Sequence, residues 1–312
     1  MIQRILLTGL KAETLLGFLA ALGTLRAFDK KHQGTRLSWQ QSGSGWTAVL
    51  HIEPGDCTNA ESVADQVCLE LENSKASHPI LAWERFLTKT FTDESGFFES
   101  AARAALTKEA AEDAEFAAMF TTQLPTTQGE ALEHVDHPFR AARKDYYLGN
   151  LKSVIENTMR EHIVRTIARP WDYLDAMANQ SLRLDHGDDR RHAYQWHAPT
   201  EDPARQKVGC MLGANRLAIE AFPLFPCIPS SSGAMATGFT CESKTRTWIS
   251  WPVWTAPCSL PVISALLNLA ALIEHEPPTA ILKHMGIAAV FRSRRLPVEK
   301  NKVFLPPVCV AS

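Results

Sequence analysis

Residues 2–52 read IQRILLTGLKAETLLGFLAALGTLRAFDKKHQGTRLSWQQSGSGWTAVLHI and contain several structural patterns in succession. The apolar segment at residues 2–8 is typical of a short strand. From Ala12 to Phe28, leucines recur at three- and four-residue spacing, which predicts a helix with one buried stripe. Gly17 and Gly23 lie inside this helix, and we expect them to allow close packing against a neighbour.

Turn and periodicity signals continue outward from this opening. Arg36–Gln41 and Trp46–Ile52 flank Ser42-Gly43-Ser44-Gly45, which predicts a hairpin. Further helices are predicted at residues 59–73, 78–120, 150–168, 171–178, 211–221 and 261–273, further strands at 248–254, 288–296 and 303–310, and a flexible loop at 229–238. The sequence therefore predicts an α+β fold. Its N-terminal half is mainly helical with a short hairpin, and its C-terminal half mixes helix and antiparallel strands.

Length and composition exclude several classes of protein. The chain has 312 residues, of which 45% are hydrophobic and 21% are charged. These values are ordinary for a globular protein, and they exclude a disordered chain, a collagen-like chain and a small stapled scaffold. The Thr-rich stretch 121–127 breaks the helical pattern. We expect a boundary there, between a mainly helical acidic region at 1–127 and a mixed basic region at 128–312, although one continuous domain is also compatible.

Charge is unevenly distributed along the chain. Residues 1–136 hold 11 Lys and Arg against 19 Asp and Glu, a net charge of −8, whereas residues 137–312 hold 21 against 15, a net charge of +6. Such asymmetry is typical of a basic face for an anionic partner. Two differently solvated halves would produce the same numbers.

The cysteines and the apolar segments indicate a cellular compartment. The seven cysteines are odd in number and include no C-x-x-C pair, so we expect mostly buried, reduced thiols. The N-terminal segment is interrupted by Lys11 and Glu13, which is unlike a signal peptide. Prolines break the charge-free stretch at 247–273, leaving too few residues to span a bilayer. We expect a cytoplasmic protein with no membrane partner.

Motif scanning finds no phosphate loop, no dinucleotide-binding fingerprint, no zinc-protease motif and no nucleophile elbow, so we name no catalytic residue and no cofactor. The densest polar cluster lies at residues 182–197. There, basic and aromatic side chains interleave in the pattern that single-strand binders use, because cations contact phosphates and flat rings stack on bases. The candidate contacts are Arg183, Arg190, Arg191, His192, Tyr194 and Trp196. Alternatively, the two aromatic residues belong to the core and the arginines to its rim.

The same cluster supports a second hypothesis, a metal site. Carboxylate and imidazole groups are ligands for Mg²⁺, Mn²⁺ or Zn²⁺, and such a site would indicate a metal-dependent nuclease. The candidate ligands are Asp185, His186, Asp188, Asp189 and His192. A salt-bridged, solvated turn is the alternative interpretation of this acidic and basic run.

Two further places are candidates for binding an anion. The helix predicted at 211–221 presents backbone amides near its start, where Asn215 and Arg216 would assist an anion or would cap and pair locally. Near the C-terminus, Arg292, Arg294 and Arg295 form a basic cluster suited to phosphate. On a strand, Arg292 and Arg294 share one face and Arg295 lies on the other. A charged, solvated edge strand explains this cluster equally well.

Three segments of the chain together carry a resemblance to a known family. They are residues 9–10 with 15–26 (LLGFLAALGTLR), residues 182–185 (LRLD) with 188–194 (DDRRHAY), and residues 213–225 (GANRLAIEAFPLF). In this order they resemble CRISPR-associated proteins of the type I-G group, formerly I-U. The resemblance is to the large-subunit-like or accessory components of the Cascade effector complex.

This resemblance implies a non-catalytic subunit of an RNA-guided surveillance complex in antiviral defence. Such a subunit would contact crRNA or target DNA and other CRISPR effector subunits, while a separate nuclease cleaves the target. In such complexes base pairing reads the sequence, and protein reads backbone shape and a short flanking motif. A purely structural protein–protein subunit is the remaining alternative.

Overall fold

The computed structural model describes residues 2–43, 45–55, 57–82, 111–126, 129–134, 137–141, 144–175, 181–186, 209–230, 233–243, 246–298 and 301–312. The fold is α+β, as predicted. The helices are α1 Leu15–Asp29, α2 Ala60–Lys75, α3 Pro79–Ala82, α4 Ala111–Ala117, α5 Lys144–Asn157, α6 Arg160–Ala168, α7 Leu212–Ala221, α8 Leu260–Leu267, α9 Ala270–Ile273 and α10 Thr279–His284. The strands are β1 Gln3–Lys11, β2 Arg36–Ser42, β3 Gly45–Ile52, β4 Thr121–Thr126, β5 Gly129–His134, β6 Cys227–Ser230, β7 Gly233–Ala236, β8 Phe239–Ser243, β9 Arg246–Trp254, β10 Ile287–Val298, β11 Asn301–Phe304 and β12 Val308–Ala311.

The first five elements form a split β-α-β unit with a second helix. Strand β3 lies between β1 and β2 and is antiparallel to both, so β1 and β2 run parallel to each other. Helix α1 makes the crossover between them. The hairpin predicted around residues 42–45 is the β2–β3 turn, and the strand predicted at 2–8 is the first part of β1.

Helix α1 is the centre of the molecule. The Thr14 hydroxyl caps it by accepting a hydrogen bond from the Gly17 amide at 3.0 Å. Every residue from Leu15 to Phe28 is buried, rather than one stripe, because the N-terminal sheet and α7 cover opposite sides of the helix. The close packing expected of the glycines is confirmed. A side chain at Gly23 would overlap the carbonyl oxygen of Leu217 in α7.

The C-terminal sheet joins this N-terminal unit through tryptophans. Its order is β11-β10-β9-β8, and β12 also pairs with β10. From β9, Trp251 Nε1 donates to the carbonyl of Ala12 and Trp254 Nε1 donates to that of Leu37, each at 2.8 Å. The Phe18 ring of α1 contacts both indoles. These contacts connect α1 and β2 with β9 in one core.

Two local predictions are wrong, and the reason in each is a tertiary or hairpin contact. The helix predicted at 171–178 is absent from the described residues 171–175, where Asp175 instead pairs antiparallel with Cys210. The loop predicted at 229–238 contains the β6–β7 hairpin. Residues 121–126 of the Thr-rich stretch form strand β4, which pairs with β5.

The remaining general expectations concern the cysteines, membranes and domain division. None of the seven cysteines forms a disulfide; three are buried, two are half-buried and two are exposed. None of the described helices has the length and apolar composition needed to cross a bilayer. The larger core cluster draws residues from both sides of residue 127, from Ile5 to Phe304.

Candidate nucleic-acid interface

Most of the basic and aromatic segment at 182–197, which we predicted to contact nucleic acid, lies outside the described residues. Arg190, Arg191, His192, Tyr194 and Trp196 all belong to 187–208. The structure describes the chain on both sides of this segment, at 181–186 and from 209 onward. The contacts of these two flanking parts are the ones that can be compared with the predicted nucleic-acid site.

The end that precedes the segment is held by buried polar contacts. Asp185 is 1% exposed, and the Tyr173 hydroxyl donates to its Oδ2 at 2.6 Å. The Leu182 amide donates to the side-chain oxygen of Asn215 in α7 at 2.8 Å. A short, buried hydrogen bond to an ionisable group restrains position strongly, because breaking it leaves a buried acceptor without a donor. Residues 182–185 are thus fixed on the side of α7.

The end that follows the segment is fixed on the same structure. Asp175 and Cys210 exchange two backbone hydrogen bonds, with N···O distances of 3.2 and 2.8 Å. A side chain at Gly209 would overlap the carbonyl oxygens of Tyr173 and Asp175, so the chain needs glycine where it approaches residues 173–175. The described residues on either side of segment 187–208 therefore lie beside residues 173–175 and the start of α7.

Backbone strain is concentrated at this place. Tyr173 and Arg183 are the two non-glycine residues of the described chain with positive φ, at 53° and 58°. A left-handed conformation costs a non-glycine residue on the order of 1–3 kcal/mol, and such strain clusters at functional sites. Arg183 is half-buried, and its amide donates to the Ser181 hydroxyl at 3.1 Å. Of the predicted contacts in 182–197, Arg183 is the one that the structure describes.

The predicted anion site at the start of α7 is filled by the protein itself. Asp175 Oδ2 accepts a hydrogen bond from the Leu212 amide at 2.8 Å, and its Oδ1 accepts one from Arg165 Nη1 at 2.6 Å. His162 Nε2 lies 3.7 Å from the same Oδ1. An internal carboxylate thus takes the position at the helix N-terminus that the sequence suggested for an external anion.

Asn215 and Arg216 are core residues rather than surface contacts. Asn215 is fully buried, and its Nδ2 donates to the Met211 carbonyl at 2.9 Å while its Oδ1 holds Leu182. Arg216 is 2% exposed, and its Nη1 donates to Glu220 Oε1 at 2.6 Å. Arg216 also lines a cavity of about 10 Å³, which is the room of one water molecule. The geometry favours the local-pairing interpretation of both residues.

Glu220 is the centre of a buried charge network. Its Oε2 accepts from Arg26 Nη1 at 3.1 Å and its Oε1 accepts from His78 Nε2 at 3.2 Å. The Ile80 amide donates to His78 Nδ1, so the imidazole proton lies on Nε2. Burial alone would raise the pKa of Glu220, but Arg216, His78 and Arg26 hold it well below the usual range. Burial lowers the pKa of His78 despite its contact with Glu220. Arg26 also pairs with Glu115 of α4 at 2.6 Å, so the network joins α1, α4 and α7 with His78, the residue before α3, and is structural.

The C-terminal arginines lie on β10 in the alternation that the sequence predicted. Arg292 and Arg294 face away from the core, half-buried and exposed respectively, and Arg295 faces inward. Arg292 donates to the carbonyls of Leu272 and His275 at 3.1 and 3.0 Å, so it holds the end of α9. Burial lowers its pKa. Arg295 Nη2 donates to the Arg140 carbonyl at 3.1 Å. Arg294 is the exposed cation of the three.

The metal hypothesis obtains no support from the residues that the structure describes. Among those, no three His, Cys, Asp or Glu side chains lie together as a metal site requires. Both Asp185 oxygens have partners, the Tyr173 hydroxyl and His186 Nδ1, the latter at 3.3 Å. The other proposed ligands, Asp188, Asp189 and His192, lie outside the described residues.

The N-terminal sheet carries a cationic surface that we did not predict from the sequence. Strands β1, β2 and β3 contain no Asp or Glu, yet they carry Arg4, Lys11 and Arg36. The sequence did carry a signal for this surface, because none of the Asp and Glu residues of the acidic N-terminal region lies in these three strands.

Comparison with protein-family models, curated proteins and solved structures finds no match to this chain.

Proposed function

We propose that the protein is a non-catalytic, nucleic-acid-binding subunit of a type I CRISPR RNA-guided surveillance complex. In this proposal it works in the cytoplasm in antiviral defence, contacts crRNA or target DNA, and binds neighbouring effector subunits. The seven cysteines, none of which forms a disulfide, agree with a reducing compartment. Cleavage of the target belongs to a separate nuclease.

One observation carries the proposal: the described parts of the three segments are joined through α7. Helix α1, which contains residues 15–26, crosses α7, which contains residues 213–221, at Gly23 and Leu217. The Arg26–Glu220 ion pair joins the same two segments. The Leu182 amide joins 182–185 to Asn215 of α7. Segments far apart in sequence thus form one scaffold, which supports their interpretation as parts of one family pattern.

The basic and aromatic segment lies in sequence between two described parts of this scaffold. The described residues on either side of 187–208 lie beside residues 173–175, and Arg190, Arg191, Tyr194 and Trp196 within it combine cations with flat rings. Cations neutralise phosphates and rings stack on unpaired bases, which suits a single strand of RNA or DNA. Guide pairing would read the sequence, and this segment would hold the backbone.

The first test is recovery of the complex from the native host. Tagged protein is purified mildly, the co-purifying proteins are identified and the bound nucleic acid is sequenced. Repeat-spacer RNA together with effector subunits is the expected result. Protein that is monomeric and free of nucleic acid would overturn the proposal, and metal analysis with a Mg²⁺ or Mn²⁺ cleavage assay on Asp188→Ala would then examine the nuclease alternative.

The second test addresses the basic and aromatic segment directly. The R190Q/R191Q variant should bind single-stranded oligonucleotide more weakly, and the slope of log K against log salt should fall by about 0.7 per lost phosphate contact. The control is R160Q/K283Q, which removes two exposed cations elsewhere. An unchanged salt slope in R190Q/R191Q would exclude these arginines as phosphate contacts.

Exposed apolar side chains favour contact with protein neighbours as well. Ile281 and Met285, in and just after α10, and Val308 in β12 are 57%, 46% and 58% exposed. If the protein is purely a structural subunit, it should form stable protein complexes while giving no direct cross-links to nucleic acid.

A further inference from the structure

The outer face of the β1–β3 sheet carries three rows of residues, two of them polar. Residues 48, 50 and 52 of β3 belong to the core cluster, whereas Val49 is buried but is not part of it, so residues 47, 49 and 51 face the opposite side. The strand register places the outward residues in three rows. The rows are Arg4–His51–Arg36, Leu6–Val49–Ser38 and Lys11–Thr47–Gln40.

This face is cationic and lacks carboxylates of its own. The three strands contain Arg4, Lys11 and Arg36 but no Asp or Glu, although residues 1–136 carry a net charge of −8. The partners of two cations are neutral groups. Arg4 Nη2 donates to Gln40 Oε1 at 3.2 Å, and Lys11 Nζ donates to Thr47 Oγ1 at 2.6 Å. Their charges therefore remain available to an anion.

Two of the cations act on the same point of the face. Arg4 and Arg36 flank His51 in one row, and their Cα atoms are about 10 Å apart, since each strand spacing is about 4.8 Å. Burial, with the charges of Arg4 and Arg36, lowers the pKa of His51. The His51 imidazole Nε2 lies 2.8 Å from Ser38 Oγ. Both guanidinium groups thus raise the positive potential over the centre of the sheet.

The side chains of the face select the kind of anion. The Arg4 side chain crosses β3 to reach Gln40, so its stem lies over the central strand. Apart from His51, the outward residues of the three rows include no aromatic ring on which a base could stack. Cations without stacking rings suit phosphates and discriminate little between bases.

We propose that the outer face of the β1–β3 sheet binds the phosphate backbone of a nucleic acid, with Arg4, Lys11 and Arg36 as the phosphate contacts. This inference rests on the proposed function and adds a surface to it, separate from segment 187–208. Binding at this face should be nearly independent of base sequence and strongly dependent on salt.

The test measures anisotropy of a labelled, mixed-sequence, single-stranded oligonucleotide, as RNA and as DNA, bound to the full chain in about 50 to 200 mM salt. In R4Q/R36Q we expect binding roughly tenfold weaker and a salt slope lower by about 1.4, which is about 0.7 for each lost contact. R4K/R36K keeps both charges and should keep most of the slope. R160Q/K283Q is the matched control, and circular dichroism checks that each variant is folded.

The outcomes separate this inference from the proposed function. If R4Q/R36Q binds like wild type while R190Q/R191Q binds more weakly, the sheet inference is overturned and the proposed function stands. If R4Q/R36Q loses affinity and salt slope while R190Q/R191Q binds like wild type, the sheet inference is supported and the basic segment does not contact the phosphates. If R160Q/K283Q loses as much as R4Q/R36Q, the effect is one of net charge and the inference fails. If wild type binds no oligonucleotide, the proposed function fails with it.

Discussion

Glu220 shows how a buried charge determines local structure in this protein. Its carboxylate is 1% exposed and is held by Arg26, Arg216 and His78. A buried pair contributes little net stability compared with apolar residues of the same shape, but removing one partner leaves an uncompensated charge. In this network Arg216 would lose its carboxylate partner inside the core, whereas Arg26 would keep Glu115 of α4 at 2.6 Å.

We therefore predict that Glu220→Gln destabilises the fold by about 3–5 kcal/mol, measured by urea unfolding at neutral pH. The pKa of Glu220 is lowered in the folded state, so the unfolded chain binds the proton more readily. Its stabilising effect is complete above pH 4.5 and is lost as pH falls below that value. The variant should have a shallower loss of stability in acid.

The control for this prediction is Glu72→Gln, since the Glu72 side chain is 52% exposed and its nearest cation, Lys75, is 3.8 Å away. It should change stability by less than about 1 kcal/mol. Equal effects of the two substitutions would show that the network around Glu220 is not a source of stability.

The crossing of α1 and α7 shows how two elements approach through glycine. Gly23 of α1 faces the Leu217 carbonyl, and Gly213 of α7 faces the His162 carbonyl of α6. At both positions a larger side chain would hold the helices apart, so glycine allows the close approach. Strand β10 contacts α9 through a side chain, because Arg292 donates hydrogen bonds to backbone carbonyls at the end of that helix.

We predict that Gly23→Ala destabilises the protein by roughly 1–3 kcal/mol, because the added Cβ overlaps the Leu217 carbonyl and forces the helices apart. The matched control is Gly149→Ala in α5, where an added Cβ meets no atom within 4 Å. Alanine there should stabilise the helix by about 0.5–1 kcal/mol. Thermal unfolding of both variants measures the difference, and a stabilised Gly23→Ala would contradict the close crossing.

The whole molecule is tied together across the proposed boundary at residue 127. The larger core cluster includes residues from Ile5 to Phe304, and Trp251 donates to Ala12 across 239 positions of sequence. The acidic and basic regions are thus differently charged surfaces over a shared interior. This arrangement favours the continuous-domain interpretation that the sequence left open.

We predict that fragments 1–127 and 128–312 do not fold separately, because α1 and α7 each bury a face against the other. Circular dichroism and tryptophan fluorescence should show one coincident unfolding transition for the full chain and none for either fragment. Two separate transitions in the full chain, or a folded fragment, would restore the two-domain interpretation.

Local signals in the sequence determined the fold class and many of its elements. Leucine spacing placed α1, and the Ser-Gly turn placed the β2–β3 hairpin. The alternation of Arg292, Arg294 and Arg295 on a strand was also correct. These features depend on neighbours a few residues apart, so periodicity and turn chemistry suffice to predict them.

Tertiary structure alone decided where the polar candidates lie. Asn215 looked like a surface contact, but its partner Leu182 is 33 residues away, and Arg26 reaches Glu220 across 194 residues. Asp175 fills the start of α7, a contact that no local pattern encodes. The cationic face of β1–β3 likewise exists only once the register aligns Arg4 with Arg36 on either side of His51. The physical reason is that a polar side chain is buried only where distant groups satisfy its hydrogen bonds, and only the folded chain brings those groups together.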